Sequence, residues 1–275
     1  MQNDIEAHFI EKYLARIAFE GTPVADMRTL VQIQQKHIAS IPFENLNPLL
    51  GIPVLLDDDS LFKKMVLNKR GGYCFENNLL LKRILQLIGF DVRGLMGRAG
   101  PAENSVGRTH LILLVSLGDD QYIVDCGYSG FVPTYPLLLR NDLIQHTPNE
   151  EFRIVQHAED LRLEIFVDGE WKRLYEFDLR HHIIADYEVA NWYTSTCPGS
   201  RFTHQLIVAR AEGNRRFTLT DLIYSEYNHG KRIKRTKLDN YPDIQHLLER
   251  NFLIDLSGLT GLQELVEHKL KSEIS

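Results

Sequence analysis

The stretch RGGYCFENN, residues 70–78, places a cysteine just after a glycine pair and just before a long helical pattern. Residues 75–87 (FENNLLLKRILQL) carry apolar side chains at helical spacing without proline or glycine, so they predict a helix with Cys74 in its first turn. Unpaired backbone N–H groups and the positive end of the helix dipole gather there and favour a thiolate over a thiol. The glycines predict an open approach to the sulfur. The stretch therefore predicts a nucleophilic cysteine, although an isolated cysteine is more often buried and inert.

Length and composition are those of an ordinary globular protein. The 275 residues suffice for one large domain or two to three small ones, and the net charge of −6 argues against a nucleic-acid surface. No apolar run approaches the roughly 20 residues of a membrane span, and the acidic, amphipathic N-terminus is unlike a signal peptide. Cys74, Cys126 and Cys197 form neither a CxxC pair nor an even framework, which predicts a reducing, cytoplasmic location.

The first third of the chain has helical periodicity. The second predicted helix ends before Pro42, because the residue preceding a proline avoids the α region. The third has an Asp- and Ser-rich start. The predicted helices cover residues 3–19, 28–40 and 57–67, followed by the Cys74 helix, which ends at Gly89.

From Phe90 the pattern changes to short, β-branched or alternating runs separated by turn signals. Asp168-Gly169 between two such runs is a strong hairpin signal. The predicted strands cover residues 91–95, 110–117, 121–125, 152–157, 161–167 and 171–177. This middle third is predicted to form a small antiparallel barrel or a strongly curved sheet.

The final third begins after Asn191-Trp192-Tyr193. It has two strand patterns, over residues 203–210 and 217–224, and two helical patterns, over residues 242–251 and 259–271. No repeat, low-complexity segment or disordered linker stands out, so the three parts are predicted to pack as one body.

A nucleophilic cysteine needs a base and a group that orients the base, and His110 and Asp125 are the best candidates. His110 opens one predicted strand and Asp125 ends the next. If Gly118-Asp119 is the two-residue loop between them, His110 lies opposite Gly127, and Asp125 is a diagonal neighbour about 7–8 Å away. If Asp119-Asp120 is the loop, contact requires a bulge. The hairpin permits the contact in one register and does not locate Cys74.

Each of these residues has a structural interpretation when taken alone. A histidine at a strand start is usually an ordinary hydrogen-bonding residue, and an aspartate after a strand is usually a turn or cap residue. The combination of a cysteine at a helix start with a histidine and an aspartate on paired strands favours catalysis, because the same order occurs in several cysteine-nucleophile folds.

Motifs along almost the whole chain resemble those of the arylamine N-acetyltransferases, in the same order. RGGYCFENN resembles the nucleophile motif of that family, and HIASIPFENL at residues 37–46 resembles its N-terminal signature. The chain size resembles that of bacterial members. Further matching segments are THL at 109–111, IVD at 123–125, PTYPL at 133–137, YEVANWYTST at 187–196 and FT at 202–203.

This resemblance implies an α+β fold around a cysteine-protease/transglutaminase-like core. The implied domains are a helical bundle at residues 1–88 with the nucleophile, an antiparallel β-barrel at 89–192 with the histidine and the aspartate, and an α/β lid at 193–275. The implied catalytic triad is Cys74, His110 and Asp125.

The resemblance also implies a cytoplasmic acyltransferase of xenobiotic metabolism. Acetyl-CoA would acetylate Cys74, and the acetyl-cysteine would then acetylate the nitrogen of an arylamine, arylhydrazine or arylhydroxylamine in a ping-pong mechanism. Coenzyme A and the small aromatic acceptor are the implied partners. No metal, nucleic acid or membrane is implied, and the chain is expected to be a monomer or a homodimer.

Other residues have supporting roles in this interpretation. Phe43 and Phe131 are expected to line the acceptor pocket, although a single aromatic residue is more often part of a core. Arg70 is expected to support the cysteine loop as a scaffold rather than as a reactant. Expected by resemblance to contact coenzyme A are Thr109, Phe202 and the turn Tyr128–Gly130.

Three residues depart from the family pattern. Ser129 adds bulk to a turn that borders the expected coenzyme A cleft, and Phe131 replaces a polar residue common in bacterial members. Arg201 stands where a proline often precedes Phe202. The basic run at residues 229–235 is expected to be a solvated hairpin rather than a phosphate-binding surface.

Four alternatives remain open at the level of sequence. An amide synthase of the same fold would use the same triad with a longer or carrier-bound acyl donor. A cysteine peptidase or transglutaminase-like enzyme would leave the matches outside the triad unexplained. A zinc protein would use the three cysteines and His110, which lack paired ligand spacing. A binding module without activity is disfavoured because all three triad residues are present.

Overall fold

A computed structural model describes residues 2–100 and 107–272 of the chain. The N-terminal third is mainly helical, as predicted. Side-chain caps set two helix starts, because Asp26 accepts a hydrogen bond from Thr29 N (2.7 Å) and Asp57 accepts one from Ser60 N (2.9 Å). The elements of this part are α1 (Gln2–Arg16), α2 (Met27–Ser40), β1 (Phe43–Glu44), α3 (Leu46–Leu49), α4 (Asp58–Phe62), a π-helical turn (Lys63–Leu67) and α5 (Cys74–Ile88).

These elements differ from the sequence prediction in three places. Helix α1 ends at Arg16 rather than near Phe19. The third predicted helix changes to π-helical geometry at Lys63. The short elements β1 and α3 were not predicted, because two to four residues are too few to show a periodicity. Helix α5 begins at Cys74 and ends before Gly89, whose φ of 105° suits glycine.

The middle of the chain forms an eight-stranded, nearly closed antiparallel barrel, which confirms the predicted α+β class. Its strands are β2 (Asp91–Ala99), β3 (His110–Leu117), β4 (Asp120–Val124), β5 (Leu137–Leu138), β6 (Gln145–His146), β7 (Glu151–His157), β8 (Asp160–Val167) and β9 (Glu170–Phe177). They follow the order β5-β4-β3-β2-β9-β8-β7-β6. The side chain of Gln145 bonds both N and O of Leu138, at 2.7 and 3.0 Å, and so links the two end strands.

The hairpin of β3 and β4 has the first of the two registers considered. Leu117 pairs with Asp120, so Gly118-Asp119 is the two-residue loop, and Gly118 has a φ of 62°. Pairing of Leu113 with Val124 continues this register toward His110 and Asp125. A glycine with positive φ at the first loop position matches the twist of antiparallel strands, which explains why the first of the two registers is the one formed.

The C-terminal part combines three helices with a five-stranded antiparallel sheet in the order β1-β10-β11-β12-β13. Residues 203–210 do not form one strand, because Arg201–Thr203 is a 3₁₀ turn and the strand begins at Ile207. Residues 217–224 are divided by a turn at Asp221, where φ is 47°. The elements are α6 (Ile184–Thr196), β10 (Ile207–Glu212), β11 (Arg215–Thr220), β12 (Ile223–Asn228), β13 (Lys231–Lys237), α7 (Tyr241–Arg250) and α8 (Leu262–Ser272).

One cluster of buried hydrophobic residues joins all three parts of the chain. It includes Ile33 of α2, Leu81 of α5, Leu113 of β3 and Ala209 of β10. Pairing of β1 with β10 also places an N-terminal segment in the C-terminal sheet. The division at residues 88 and 192 remains a prediction, and its second boundary lies inside α6.

Candidate active site

Cys74 is the first residue of α5, and its side chain reaches toward the start of β3. The sulfur lies 3.6 Å from the carbonyl oxygen of Thr109, and the residue is 4% exposed. Its position at the helix start agrees with the sequence prediction, so the backbone N–H groups of the first turn are close to the sulfur.

Three glycines bring the backbone unusually close to this helix start. A Cβ on Gly71 would lie 2.1 Å from the carbonyl oxygen of Pro42, and one on Gly72 would lie 2.6 Å from Cβ of Glu76. A Cβ on Gly127 would lie 2.4 Å from Cα of Cys74. The pair Gly71-Gly72 therefore serves close packing rather than the open approach to the sulfur that the sequence suggested.

His110 connects the cysteine to a buried carboxylate. Its Nε2 lies 2.7 Å from Oδ2 of Asp125, and the two residues are 3% and 0% exposed. Burial lowers the pKa of His110, but the charge of Asp125 and its hydrogen bond outweigh burial, and Cys74 adds to the effect, so the pKa rises to about 10. Because Nε2 bonds Asp125, the ring nitrogen left for the cysteine is Nδ1. The imidazolium is thus the favoured form at neutral pH.

Asn78 holds the other oxygen of the carboxylate, a contact that the sequence reasoning missed. Its Nδ2 donates to Oδ1 of Asp125 at 2.9 Å and to the carbonyl oxygen of Leu111 at 2.7 Å. Its Oδ1 accepts from Cys126 N at 2.9 Å, and Oδ1 of Asp125 also accepts from Gly127 N at 2.8 Å. The signal in the sequence is its place one helical turn after Cys74, which puts both side chains on one face of α5.

Two tyrosines enclose the imidazole of His110. Ring centroids of Tyr128 and Tyr175 lie 5.3 and 4.9 Å from that of His110. Burial first, and the charge of Asp125 second, raise the pKa of Tyr128 to about 12 and also raise the pKa of Tyr175. Both phenols are therefore neutral at physiological pH and shield the histidine from water.

A buried network of charges lies under the cysteine loop. Arg70 donates to Oε1 of Glu44 from Nε and Nη2, at 2.9 and 2.7 Å, and Lys64 donates to Oε1 of Glu76 at 2.6 Å. Burial raises the pKa of Glu44, but Arg70 and then Lys64 outweigh it, so the pKa falls below its ordinary value. Glu76 in turn accepts from Tyr73 N at 3.1 Å. This geometry fits the scaffold role expected for Arg70.

A neutral histidine supports the same loop from the other side. His37 contacts Oδ1 of Asn77 through Nε2 at 2.9 Å and the hydroxyl of Tyr13 through Nδ1 at 2.8 Å. Burial lowers the pKa of His37 to about 4, against the opposing hydrogen bond of Asn77. The ring is therefore uncharged in the folded protein at neutral pH.

Cys74 and His110 open into a cavity of about 470 Å³. Four predicted binding residues are in its lining, namely Phe43, Thr109, Tyr128 and Phe202, together with Ser129, Tyr193 and Arg201.

Gly130 and Phe131 are not among the lining residues that the structure describes. Gly130 borders a separate small hollow, and the ring of Phe131 packs under the guanidinium of Arg216 at 4.5 Å. An acceptor-pocket role for Phe131 therefore has no support from this geometry.

The zinc protein considered as an alternative would need a cluster of metal-ligating side chains. Residues 2–100 and 107–272 contain no group of three or more His, Cys, Asp or Glu side chains arranged to hold a metal ion. The sulfur of Cys126 is buried 3.9 Å from the carbonyl oxygen of Gln34, and burial, followed by the charge of Asp125, raises the pKa of its thiol. Cys197 follows the last residue of α6.

Fold and site together define a class. A cysteine at a helix start, a histidine beside it, a carboxylate behind the histidine and a cavity in front are the parts of a cysteine-nucleophile acyl-transfer enzyme.

Comparison with known proteins gives the family. A family model described as N-acetyltransferase matches residues 26–260. An arylamine N-acetyltransferase of Mycolicibacterium smegmatis is 38% identical over 256 residues, covering 90% of this chain and 93% of that protein. The chain belongs to the arylamine N-acetyltransferase family.

Comparison with solved structures gives the same family. The arylamine N-acetyltransferase of Salmonella typhimurium superposes with a TM-score of 0.90 at 30% identity, covering 96% of this chain and 98% of its own. That of Mycobacterium marinum, solved in complex with CoA, gives a TM-score of 0.90 at 31% identity with the same coverage.

Proposed function

We propose that this enzyme transfers an acetyl group from acetyl-CoA to the nitrogen of an arylamine, arylhydrazine or arylhydroxylamine through an acetyl-Cys74 intermediate. The observation that carries the proposal is that Cys74 and His110 line the same cavity, with Asp125 bonded to His110 at 2.7 Å on the buried side. The family membership and the CoA complex of the Mycobacterium marinum relative support the acyl donor.

In the first half-reaction the Cys74 thiolate attacks the thioester carbonyl of acetyl-CoA. A bond forms between Sγ and the carbonyl carbon, the bond from that carbon to the coenzyme A sulfur breaks, and the imidazolium of His110 gives its proton to the departing thiolate. Asp125 keeps the ring oriented through Nε2. Backbone N–H groups at the start of α5 are placed to stabilise the oxyanion.

In the second half-reaction the neutral His110 takes a proton from the attacking amine. The amine nitrogen bonds the acetyl carbon, the bond to Sγ breaks, and the site returns to its thiolate and imidazolium. An arylamine suits this step because it is uncharged at neutral pH and its ring gains from apolar burial. Rings of Phe43, Tyr128 and Phe202 in the cavity lining supply such a surface.

The proposal assigns Cys74, His110 and Asp125 as the triad and Arg70 as a structural support. It assigns Phe43, Thr109, Tyr128 and Phe202 to substrate binding, since they share the cavity with Cys74. The amide synthase predicted as an alternative is not favoured, because the relatives above are named arylamine N-acetyltransferases.

The location and assembly proposed here are those expected from the sequence. In the described parts of the chain, no helix has both the length and the apolar character needed to cross a membrane. Cys74, Cys126 and Cys197 are all free thiols, which supports a reducing cytoplasm. A monomer or a homodimer remains the prediction.

Mass spectrometry of the protein after incubation with acetyl-CoA tests the proposal. We expect one added acetyl group, mapped by peptide analysis to Cys74, and its loss when an arylamine is added. Cys74→Ala should abolish both labelling and turnover, whereas the matched control Cys197→Ala should retain them. Acetylation of an arylamine by Cys74→Ala at the wild-type rate would contradict the mechanism.

A further inference from the structure

Arg216 of β11 is buried where the C-terminal sheet meets the barrel. Its Nη1 donates to Oε1 of Glu150, which directly precedes β7, and the two residues are 2% and 7% exposed. Burial raises the pKa of Glu150, and the charge and hydrogen bond of Arg216 offset only part of this effect. Apolar side chains can often replace a buried ion pair without loss of stability. Stability alone therefore does not explain a charge at this position.

The guanidinium of Arg216 also packs against two aromatic rings. Its central carbon lies 4.5 Å from the ring centroid of Phe131 and 4.7 Å from that of Tyr227. Tyr227 belongs to β12 and pairs directly with Arg216 within the C-terminal sheet. Phe131 belongs to the other side of the interface, in the segment that follows Asp125. A flat, delocalised guanidinium stacks on such rings, which a lysine ammonium cannot do.

The turn at residues 128–131 connects this packing to the catalytic histidine. At its start, Tyr128 packs edge-on against His110, with ring centroids 5.3 Å apart. The hydroxyl of Tyr128 donates to the carbonyl oxygen of Leu174 at 3.2 Å. Phe131 ends the turn only three residues later, at most about 10 Å away along the chain. A displacement of Phe131 is therefore transmitted to the ring that covers His110.

Few contacts hold the far end of this turn. Among residues 2–100 and 107–272, no hydrogen bond is formed by Ser129, Gly130 or Phe131. The ring of Phe131 is partly buried against the hydrophobic core of the barrel, and the guanidinium of Arg216 packs against it. The position of the turn consequently depends on where Arg216 holds the ring of Phe131.

The interface between the sheet and the barrel has other contacts and does not depend on Arg216 alone. Nδ2 of Asn149 donates to the carbonyl oxygen of Gly213 at 3.1 Å. A Cβ on Gly230 would lie 2.5 Å from the carbonyl oxygen of Asn149, so the two backbones are in close contact there. Arg216 can therefore be altered without separating the sheet from the barrel.

Resting on the function proposed above, we propose that Arg216 is a positioning residue of the acyl-transfer site. It holds Phe131, and Phe131 sets the turn that keeps Tyr128 against His110. Tyr128 in turn excludes water from the imidazole while a proton moves to and from it. The role belongs to the flat guanidinium, because any cation able to pair with Glu150 would supply the charge alone.

Two substitutions separate the stacking contact from the ion pair. Arg216→Lys keeps a cation that can pair with Glu150 but loses the stacked guanidinium, whereas Phe131→Leu keeps the ion pair and removes the ring. We expect each to lower kcat/KM for acetyl-CoA by about fivefold, as loss of one desolvated cation–π contact predicts. The double variant should be no slower than either single variant, because both substitutions act on the same contact.

Tyr227→Leu is the matched control, since it removes the other ring from the same guanidinium and leaves the turn untouched. It should retain the wild-type kcat/KM for acetyl-CoA. A wild-type value in Arg216→Lys would refute the inference, because the charge alone would then suffice. So would a fivefold fall in Tyr227→Leu, or a double variant about 25-fold slower than the wild type, which would mean that Arg216 and Phe131 act independently.

The NMR signal of the His110 ring reports the position of Tyr128 without any substrate. In protein with isotopically labelled histidine, the Cε1–H resonance of His110 is assigned by its loss in His110→Gln. Because the ring current of Tyr128 acts on this resonance, it should shift in Arg216→Lys and in Phe131→Leu. It should stay in place in Tyr227→Leu.

This measurement distinguishes the inference from the proposed function. If acetyl-CoA does not acetylate Cys74 in the wild type but the His110 resonance shifts in both variants, the proposed function fails and the role of Arg216 stands. If acetyl-CoA acetylates Cys74 and the resonance stays in place in both variants, the role of Arg216 alone is refuted.

Discussion

Replacing Asp125 by asparagine removes the charge that controls His110 and preserves most of the local hydrogen bonds. The amide oxygen can still accept from Gly127 N and from Nδ2 of Asn78, which lie 2.8 and 2.9 Å from the native Oδ1. The amide nitrogen then faces Nε2 of His110, in place of an oxygen 2.7 Å away. Nε2 must accept rather than donate, so the neutral ring carries its proton on Nδ1, the nitrogen left for Cys74.

The size of the effect follows from the pKa of His110. Burial lowers this pKa, but Asp125 and then Cys74 raise it from 6.5 to about 10. At about 1.4 kcal/mol for each tenfold change in proton binding, the difference corresponds to about 5 kcal/mol in favour of the imidazolium. Asp125 is the largest favourable contribution, so its loss should slow acetylation of Cys74 by about a thousandfold at pH 7.

The structure also predicts how the protonation of His110 changes with pH in the wild type and in the variant. The wild-type imidazolium persists until the pH rises to about 10. In Asp125→Asn, burial still lowers the pKa of His110 and only Cys74 still raises it, so the pKa falls well below its wild-type value and the neutral ring is favoured at lower pH.

Quenched-flow measurement of coenzyme A release gives the acetylation rate. The rate of Cys74 alkylation by iodoacetamide, followed from about pH 5 to about pH 11, gives the pH dependence. Asp120→Asn is the matched control, because it makes the same chemical change at the exposed start of β4 and should leave both measurements unchanged. A folded Asp125→Asn protein with an acetylation rate within about threefold of the wild type, and with an unshifted alkylation profile, would refute the reasoning.

Three further substitutions test the surroundings of the site. Asn78→Ala should lower the free energy of unfolding in urea by about 3 kcal/mol, because it leaves buried groups of Leu111, Asp125 and Cys126 without their partner; an unchanged midpoint would contradict this. Gly127→Ala should lower the free energy of unfolding by about 1–3 kcal/mol in thermal denaturation and slow the alkylation of Cys74, because the added Cβ would lie 2.4 Å from Cα of Cys74. Wild-type values of both measurements would contradict the close packing at this glycine. The wild-type free energy of unfolding should fall by up to about 3 kcal/mol as the pH drops from 6.5 toward 4, because His37 binds a proton in the unfolded protein but not in the folded one. His37→Gln should lose that pH dependence. An identical pH slope in both proteins would contradict this prediction.

Local sequence signals predicted the elements nearest the site. The pattern of residues 75–87 gave a helix with Cys74 at its start, and α5 begins at that residue. Gly118 limited the hairpin of β3 and β4 to two registers, of which the structure has the one with the Gly118-Asp119 loop. Both signals act within a few residues of chain, where hydrogen bonding and φ preferences operate without help from the rest of the fold.

Helix α6 shows where the sequence pattern was insufficient. No helix was predicted for its residues, and the predicted boundary at residue 192 lies inside it. Its buried face mixes the apolar Tyr187 and Ala190 with the polar Asn191 and Thr194, whereas Val189 and Trp192 are 70% and 68% exposed, so its hydrophobic periodicity is weak. Strand β1 was missed for another reason, because two residues become a strand only through pairing of Phe43 with Ala209.

By itself the sequence determined that Cys74 begins a helix and that His110 and Asp125 belong to one hairpin, in which one of two possible registers allows contact. Only the tertiary structure decided that the helix start and the hairpin meet. That contact depends on Gly127, where a missing Cβ lets two backbones approach, and on Asn78, which joins α5 to Asp125. Helix dipoles and turn preferences are local, whereas contacts between segments distant in the chain exist only once the core has packed them together.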